Sequence, residues 1–252
     1  MKTETITKSL YGGEIEVIFY PNSHQYKIGK DRITSVTSIT GVIDKPALKF
    51  WAAGCAVNEI LECYEKGDIS EASIKSAKSA FTRVSKEATD IGATVHDFCE
   101  MFALNKLGKG EKPELPEDEK ALSGCLAFLR WHDQNKVEFL EVEKLVYSKK
   151  HNYCGIFDLL AKVNGKLYLI DYKTSKDFYP LEMGAQLAGY KIAFKEETGT
   201  ELDGLSILRF DKETGDFAIH DIANEELSEQ VFLSCLQIKN AQKYFDSLTP
   251  TI

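Results

Sequence analysis

The chain has no run of about 18 apolar residues, so nothing in it reads as a membrane-spanning helix. Paired cysteines are missing too. Its six cysteines (Cys55, Cys63, Cys99, Cys125, Cys154 and Cys235) are scattered with no C-x-x-C, which excludes a zinc-ribbon site and a disulfide framework. They read as free, mostly buried thiols in a reducing compartment. Met1 to Thr5 lack the apolar stretch of a signal peptide. These absences predict a soluble, cytoplasmic protein with no membrane partner. Net positive charge is also absent: the balance is -8, which argues against a surface that binds polyanions everywhere. No repeat or low-complexity segment appears.

What is present is an ordinary globular composition, 43% hydrophobic over 252 residues, enough for one large domain or a core with a helical addition. The charge is unevenly spread. Lys144 to Lys176 holds seven lysines against Asp158 and Asp171, a local +5, whereas Glu196 to Glu229 sums to -9. Such a basic stretch either attracts phosphates over a Debye length of about 8–10 Å or simply solvates exposed strand faces.

Residues 14–39 alternate and are rich in β-branched and aromatic types, with a turn at Pro21-Asn22-Ser23, so they predict an N-terminal β-hairpin. Pro46 opens a helical stretch that continues with breaks through Phe81. A clearer helix covers 89–107, where Val95, Phe98, Cys99 and Phe102 share a face and Gly108 stops it. An acidic, proline-containing linker leads to a helix over 121–135. Strands follow at 138–147, 155–163 and 166–173, then a helix over 180–197, strands at 205–210 and 217–222, and a closing helix over 224–246. The expected architecture is α/β, a central mixed β-sheet flanked by helices, with residues 1–88 as an N-terminal extension and 89–252 as the core.

The sharpest local signal is Asn164-Gly165. Both positions of a type I′ turn need positive φ, and Asn-Gly supplies it. Counting back from a Val163–Lys166 pair places Asp158 opposite Asp171, with Cβ atoms roughly 4.5–5.5 Å apart. Two carboxylates that close repel, and their neighbours Ile156-Phe157, Leu159-Leu160 and Leu169-Ile170 suggest partial burial. The pair needs a proton or a cation, and a hard divalent metal resolves the conflict. Lys173, two residues beyond Asp171, shares its face. It either holds a water and stabilises phosphorane charge or merely neutralises the acids.

Other candidates come from other elements. His96 and Glu100 are spaced i, i+4 and share a helix face, so His96 is either a metal ligand with Glu100 behind it or a surface residue. Gln186 and Tyr190 are likewise i, i+4, suited to a phosphate, a base or Lys173, or else to a helix surface with a core tyrosine. Glu143, between Val142 and Lys144, either approaches a metal or is a solvated strand position.

Read together, Gly92-Ala-Thr-Val-His96, Gly155-Ile-Phe-Asp158, Leu169-Ile-Asp171-Tyr-Lys173-Thr174 and Gln186-Leu-Ala-Gly-Tyr190 resemble the RecB-like branch of the PD-(D/E)XK nuclease superfamily, with its restriction-endonuclease-like core. The match spans residues 92–190, and four weak motifs in order make a specific one. Thr34 to Ile39, Lys45 to Leu48 and Trp51-Ala52 are similar, more softly, to phage-type and mitochondrial genome-maintenance exonucleases. The resemblance implies Mg²⁺ or Mn²⁺ held by His96, Asp158, Asp171 and the Tyr172 carbonyl. It also implies Asp158, Asp171 and Lys173 as the catalytic set, and Gln186, Tyr190, Glu100, Glu143 and Thr174 behind them or on DNA. The implied reaction is phosphodiester hydrolysis by metal-activated water, on DNA ends or single strands. Relatives with an iron–sulfur cluster place three cysteines after the Q-x-x-x-Y helix. Only Cys235 follows Tyr190 here, so no cluster is predicted. The alternatives are a structure-specific or restriction-type endonuclease, and an inactive nuclease fold that binds DNA or protein.

Overall fold

The computed structural model describes residues 5–248; Met1 to Glu4, part of the N-terminal stretch read above, lie outside the described residues. The chain opens with a four-stranded antiparallel meander: β1 (Ile6–Leu10), β2 (Ile15–Tyr20), β3 (Gln25–Ile28) and β4 (Asp31–Ser35). The predicted hairpin is its middle. Only Leu10 of β1 is buried, so this edge strand carries little hydrophobic signal. Alternation points Val17, Phe19, Tyr26 and Ile33 to one side, where they are buried with Leu145, Tyr147 and Cys154.

Short helix α1 (Val36–Thr40) follows, its first turn capped by Ser35, whose Oγ accepts from Ser38 N at 3.1 Å. Next come α2 (Pro46–Glu65), α3 (Glu71–Ala77) and α4 (Ala80–Lys106). Helix α4 begins well before residue 89, because neither Gly nor Pro interrupts 80–88. The remainder is α5 (Glu119–Gln134), β5 (Val137–Ser148), β6 (Tyr153–Val163), β7 (Lys166–Lys173), α6 (Pro180–Thr198), β8 (Gly204–Phe210), β9 (Phe217–Asp221) and α7 (Glu225–Leu248). From α4 onward this is the predicted order, with boundaries within a few residues apart from the start of α4.

Among the described residues nine strands make one mixed sheet, parallel at β4–β6 and β7–β8 and antiparallel elsewhere. Helices α1, α6 and α7 pack on one face. Helices α4 and α5 pack on the other, around Phe128 and Trp131. Glycines let α6 come close to its neighbour: a Cβ on Gly189 would lie 2.5 Å from Phe232 of α7. The arrangement is a restriction-endonuclease-like α/β fold. Among the described residues no helix is long and apolar enough to cross a membrane.

The sheet forks at β6. Strand β5 pairs along the whole of one edge. On the other edge β4 takes only Tyr153 and Cys154, while β7 takes Leu159 to Val163. Gly155-Ile-Phe-Asp158 lies between, where these two neighbours have parted, and a cleft opens there. The register depends on the turn, where Asn164 and Gly165 have φ of 53° and 87°. Asn164 also clamps the α5–β5 junction: its Oδ1 accepts from Lys136 N at 3.1 Å, and its Nδ2 donates to Asn135 Oδ1 at 3.0 Å.

Candidate active site

The β6–β7 register is the one the turn predicts, Val163 against Lys166, but backbone pairing stops at Leu159 against Ile170. Asp158 and Asp171 are the next residues in register, just past the end of the ladder. There a side chain replaces a carbonyl: Asp158 Oδ2 accepts from Tyr172 N at 2.6 Å. The expectation of a plain cross-strand pair is corrected to this extent. The acids lie where β7 leaves β6, and Asp158 itself bridges the parting strands.

Asp171 is 2% exposed. Burial pushes its pKa up to about 6; Lys173 pulls it down, and Asp158 adds to the rise. Lys173 Nζ donates to Asp171 Oδ2. Burial opposes the lysine's charge, but Asp171 and Asp158 outweigh that, and its pKa lies above the ordinary value. Gln186 Nε2 donates to Asp171 Oδ1 and to Tyr190 Oη, each at 3.1 Å. Gln186 therefore holds the aspartate, and its contact with Lys173 runs through that carboxylate. The chain of contacts continues to Gly155, where a Cβ would lie 2.5 Å from Tyr190 Cε1 and 2.9 Å from Val36 Cγ2. Only glycine lets the tyrosine lie on the strand that carries Asp158.

From α4, His96 Nδ1 stands 3.6 Å from Asp158 Oδ2, its ring edge-on to Tyr172 with centroids 5.7 Å apart. Glu100 lines the same cleft one turn on, and Glu143 lines it from β5 with a φ of 47°, rare for a residue other than glycine. The Tyr172 side chain lies in the opposite core, beside Phe128 and Phe210, so only its backbone is at the site. Thr174 is not among the residues lining the cleft; its Oγ1 sits against α4, 3.0 Å from where a Cβ on Gly92 would be.

The cleft encloses about 630 Å³. Reasoning from sequence missed a whole wall of it. Phe19, Asn22, His24 and Tyr26 of the meander, with Ser35 and Thr37, face the acids. Contacts between residues more than a hundred positions apart leave no local pattern. Asp97, also missed, is spaced i, i+3 from Glu100 on α4 and lines the same cleft. The basic stretch is largely engaged at home: Lys144 pairs with Glu141 at 3.0 Å, Lys149 with Glu14 at 2.6 Å, Lys162 with Glu138 at 3.3 Å, and Lys173 with Asp171.

Among the residues lining the cleft are five carboxylates (Asp97, Glu100, Glu143, Asp158, Asp171) and one lysine. That excess, with a nearly buried Asp171 whose charge is costly, calls for added cation. Two carboxylates, an imidazole and a main-chain carbonyl form a donor set that suits a hard divalent ion. As the side chains stand, no three of the described His, Cys, Asp or Glu residues are grouped to hold one. Lys173 and Gln186 occupy Asp171, and Tyr172 N occupies one oxygen of Asp158. The residues fit a divalent ion by chemistry and charge, and those contacts would have to yield.

A family model described as the PD-(D/E)XK nuclease superfamily matches residues 56–250. No curated protein matches the chain. Among solved structures, SSO0001 is similar over 57% of this chain and 86% of its own, at 14% identity and a TM-score of 0.24, too low to support any inference.

Proposed function

The chain belongs to the PD-(D/E)XK nuclease superfamily, and we propose that it is a divalent-metal-dependent DNA exonuclease. Members of this superfamily generally use divalent metals such as Mg²⁺. One observation supports the reading most: Asp158, Asp171 and Lys173 meet at the fork of the sheet, inside a cleft whose carboxylates would repel a polyanionic substrate unless cations were bound. Asp158, Asp171, His96 and the Tyr172 carbonyl would hold the ion, which when bound polarises the scissile phosphate and acidifies water. Mg²⁺ and Mn²⁺ both suit these ligands.

The chain's own residues have distinct tasks. Lys173 orients the attacking water and balances charge that grows on the phosphoryl oxygens. Gln186 and Tyr190 fix the Asp171 carboxylate, so Lys173 and Asp171 present one geometry. Tyr172 N fixes Asp158. His96, Glu100 and Glu143 complete the acidic floor. The exonuclease reading rests on the resemblance of residues 34–52, of which Ser35, Val36 and Thr37 line the cleft. Since both segments contribute to that cleft, we propose that residues 1–88 and 89–252 act as one unit.

End-labelled linear and closed circular DNA, single- and double-stranded, incubated with Mg²⁺, Mn²⁺ or EDTA, tests this. Linear DNA should be degraded from its ends with either metal, circles should stay intact, and EDTA should stop the reaction. Degradation in EDTA at the full rate would refute the metal-dependent reading. Nicked circles would make the enzyme an endonuclease, and no cleavage of any substrate would leave a binding fold.

A further inference from the structure

The two walls of the cleft differ in chemistry. The α4 wall is charged, with His96, Asp97 and Glu100. The wall opposite comes from the β2–β3 turn and is formed by Phe19, Pro21, Asn22, His24 and Tyr26, without a lysine, an arginine or an acid. A surface built to hold phosphates would carry cations; an uncharged aromatic one suits a base. His24 is its most exposed ring. It sits in the left-handed region, φ 49° and ψ 44°, where it closes the β2–β3 turn by donating its N–H to the Pro21 carbonyl at 3.2 Å. Phe19 and Tyr26, both buried, stack on each other at 4.7 Å and brace it from beneath. Both meet the imidazole nearly at right angles, at 5.3 and 6.1 Å, so neither ring stacks on it. Surrounding groups desolvate the ring and hold its pKa below the ordinary histidine value, consistent with a neutral stacking partner.

We propose that His24 is a substrate-positioning residue that stacks on the base of an unpaired nucleotide whose phosphate lies over Asp158, Asp171 and Lys173. A base within a duplex cannot offer its face, so the wall selects single-stranded or frayed DNA. This inference rests on the nuclease reading.

Short oligothymidylates carrying 2-aminopurine at either end, titrated in Ca²⁺, which neutralises the carboxylates but acidifies bound water far less than Mg²⁺, test binding without cleavage. Steady-state cleavage of single-stranded and blunt duplex DNA, with the metal that supports activity, gives KM and kcat. His24→Ala should weaken oligonucleotide binding and raise KM for single strands about five- to one-hundred-fold. It should leave kcat within about twofold and the melting temperature unchanged. His24→Phe, which keeps a flat ring, should restore most of the binding. The 2-aminopurine signal should be quenched on binding wild type and less so with alanine. Unchanged binding by His24→Ala, or equal loss in His24→Phe, would overturn the proposal while leaving the nuclease reading intact. If wild-type protein neither binds nor cuts, both fall.

Discussion

Helices α2 and α6 have nearly equal lengths, 20 and 19 residues, and both are rich in apolar side chains. Yet α6 buries nine residues and α2 buries none. Helix α6 lies between the sheet and α7, so apolar and small residues are needed all around it, and Gln186 and Tyr190 project into a rigid environment. Helix α2 rests mainly on α3 and α4, for example where Trp51 meets Phe81 edge-on at 4.9 Å; Phe50 and Tyr64 stay 78% and 69% exposed. Apolar composition therefore does not set depth. The number of layers stacked on an element does, and Gln186 and Tyr190, which brace the Asp171 carboxylate, sit on the helix covered from both sides.

If the platform of β6, β7 and α6 carries function and α2 does not, substitutions in the two should diverge. The largest effect is expected for Lys173→Ala, which should lower DNA cleavage about 10²–10³-fold with the fold retained, read by initial rates and circular dichroism. Phe50→Ala on α2 should leave those rates near wild type, and an equal loss there would break the contrast. Gly155→Ala should act on stability and rate together. Its Cβ meets Tyr190 and Val36, so we expect about 1–3 kcal/mol of destabilisation in urea titrations and a fall in activity as Gln186 and Asp171 shift. Leu187→Ala, in the α6 core, should cost about 2–5 kcal/mol, whereas Leu61→Ala on α2 should stay within about 0.5 kcal/mol. The smallest effect concerns pH. Asp171 holds its proton in the folded protein up to about pH 6, but near 3.8 when unfolded. Between those values the folded state binds the extra proton, so this group's stabilisation is present below 3.8 and fades as pH rises to 6. Metal-free Asp171→Asn should show a flatter stability profile over that window; an identical profile would remove the burial assigned to Asp171.

Much of the core was legible because its signals are local. Asn164-Gly165 fixed a register that held along the whole β6–β7 ladder, and the helical spacing of Val95, Phe98 and Phe102 put His96 and Glu100 on the opposite side, where both line the cleft. Other features left no such mark. The ladder ends one residue before the aspartates while β7 stays paired with β8 on its other edge through Lys173, and no pattern within the hairpin announces where β6 and β7 part. The positive φ of Glu143 within β5 is likewise invisible in Val142-Glu143-Lys144. The meander wall was hidden for the same reason: His24 reaches the acids through tertiary packing, and a turn cluster reads only as a turn.

The join between β4 and β6 bears on how the polypeptide comes to life on the ribosome. Thr34 pairs with Tyr153, roughly 120 residues later, and the meander's inner side chains are covered by Leu145, Tyr147 and Cys154. The first strands leave the exit tunnel long before the segments that cover them have been translated. For that interval Val17, Phe19 and Ile33 have no lasting cover, and the nascent chain depends on chaperones or on slow collapse to stay clear of its neighbours. The half of the cleft made first waits longest for its cover, so a molecule truncated before residue 153 would lack the strand on which that half docks.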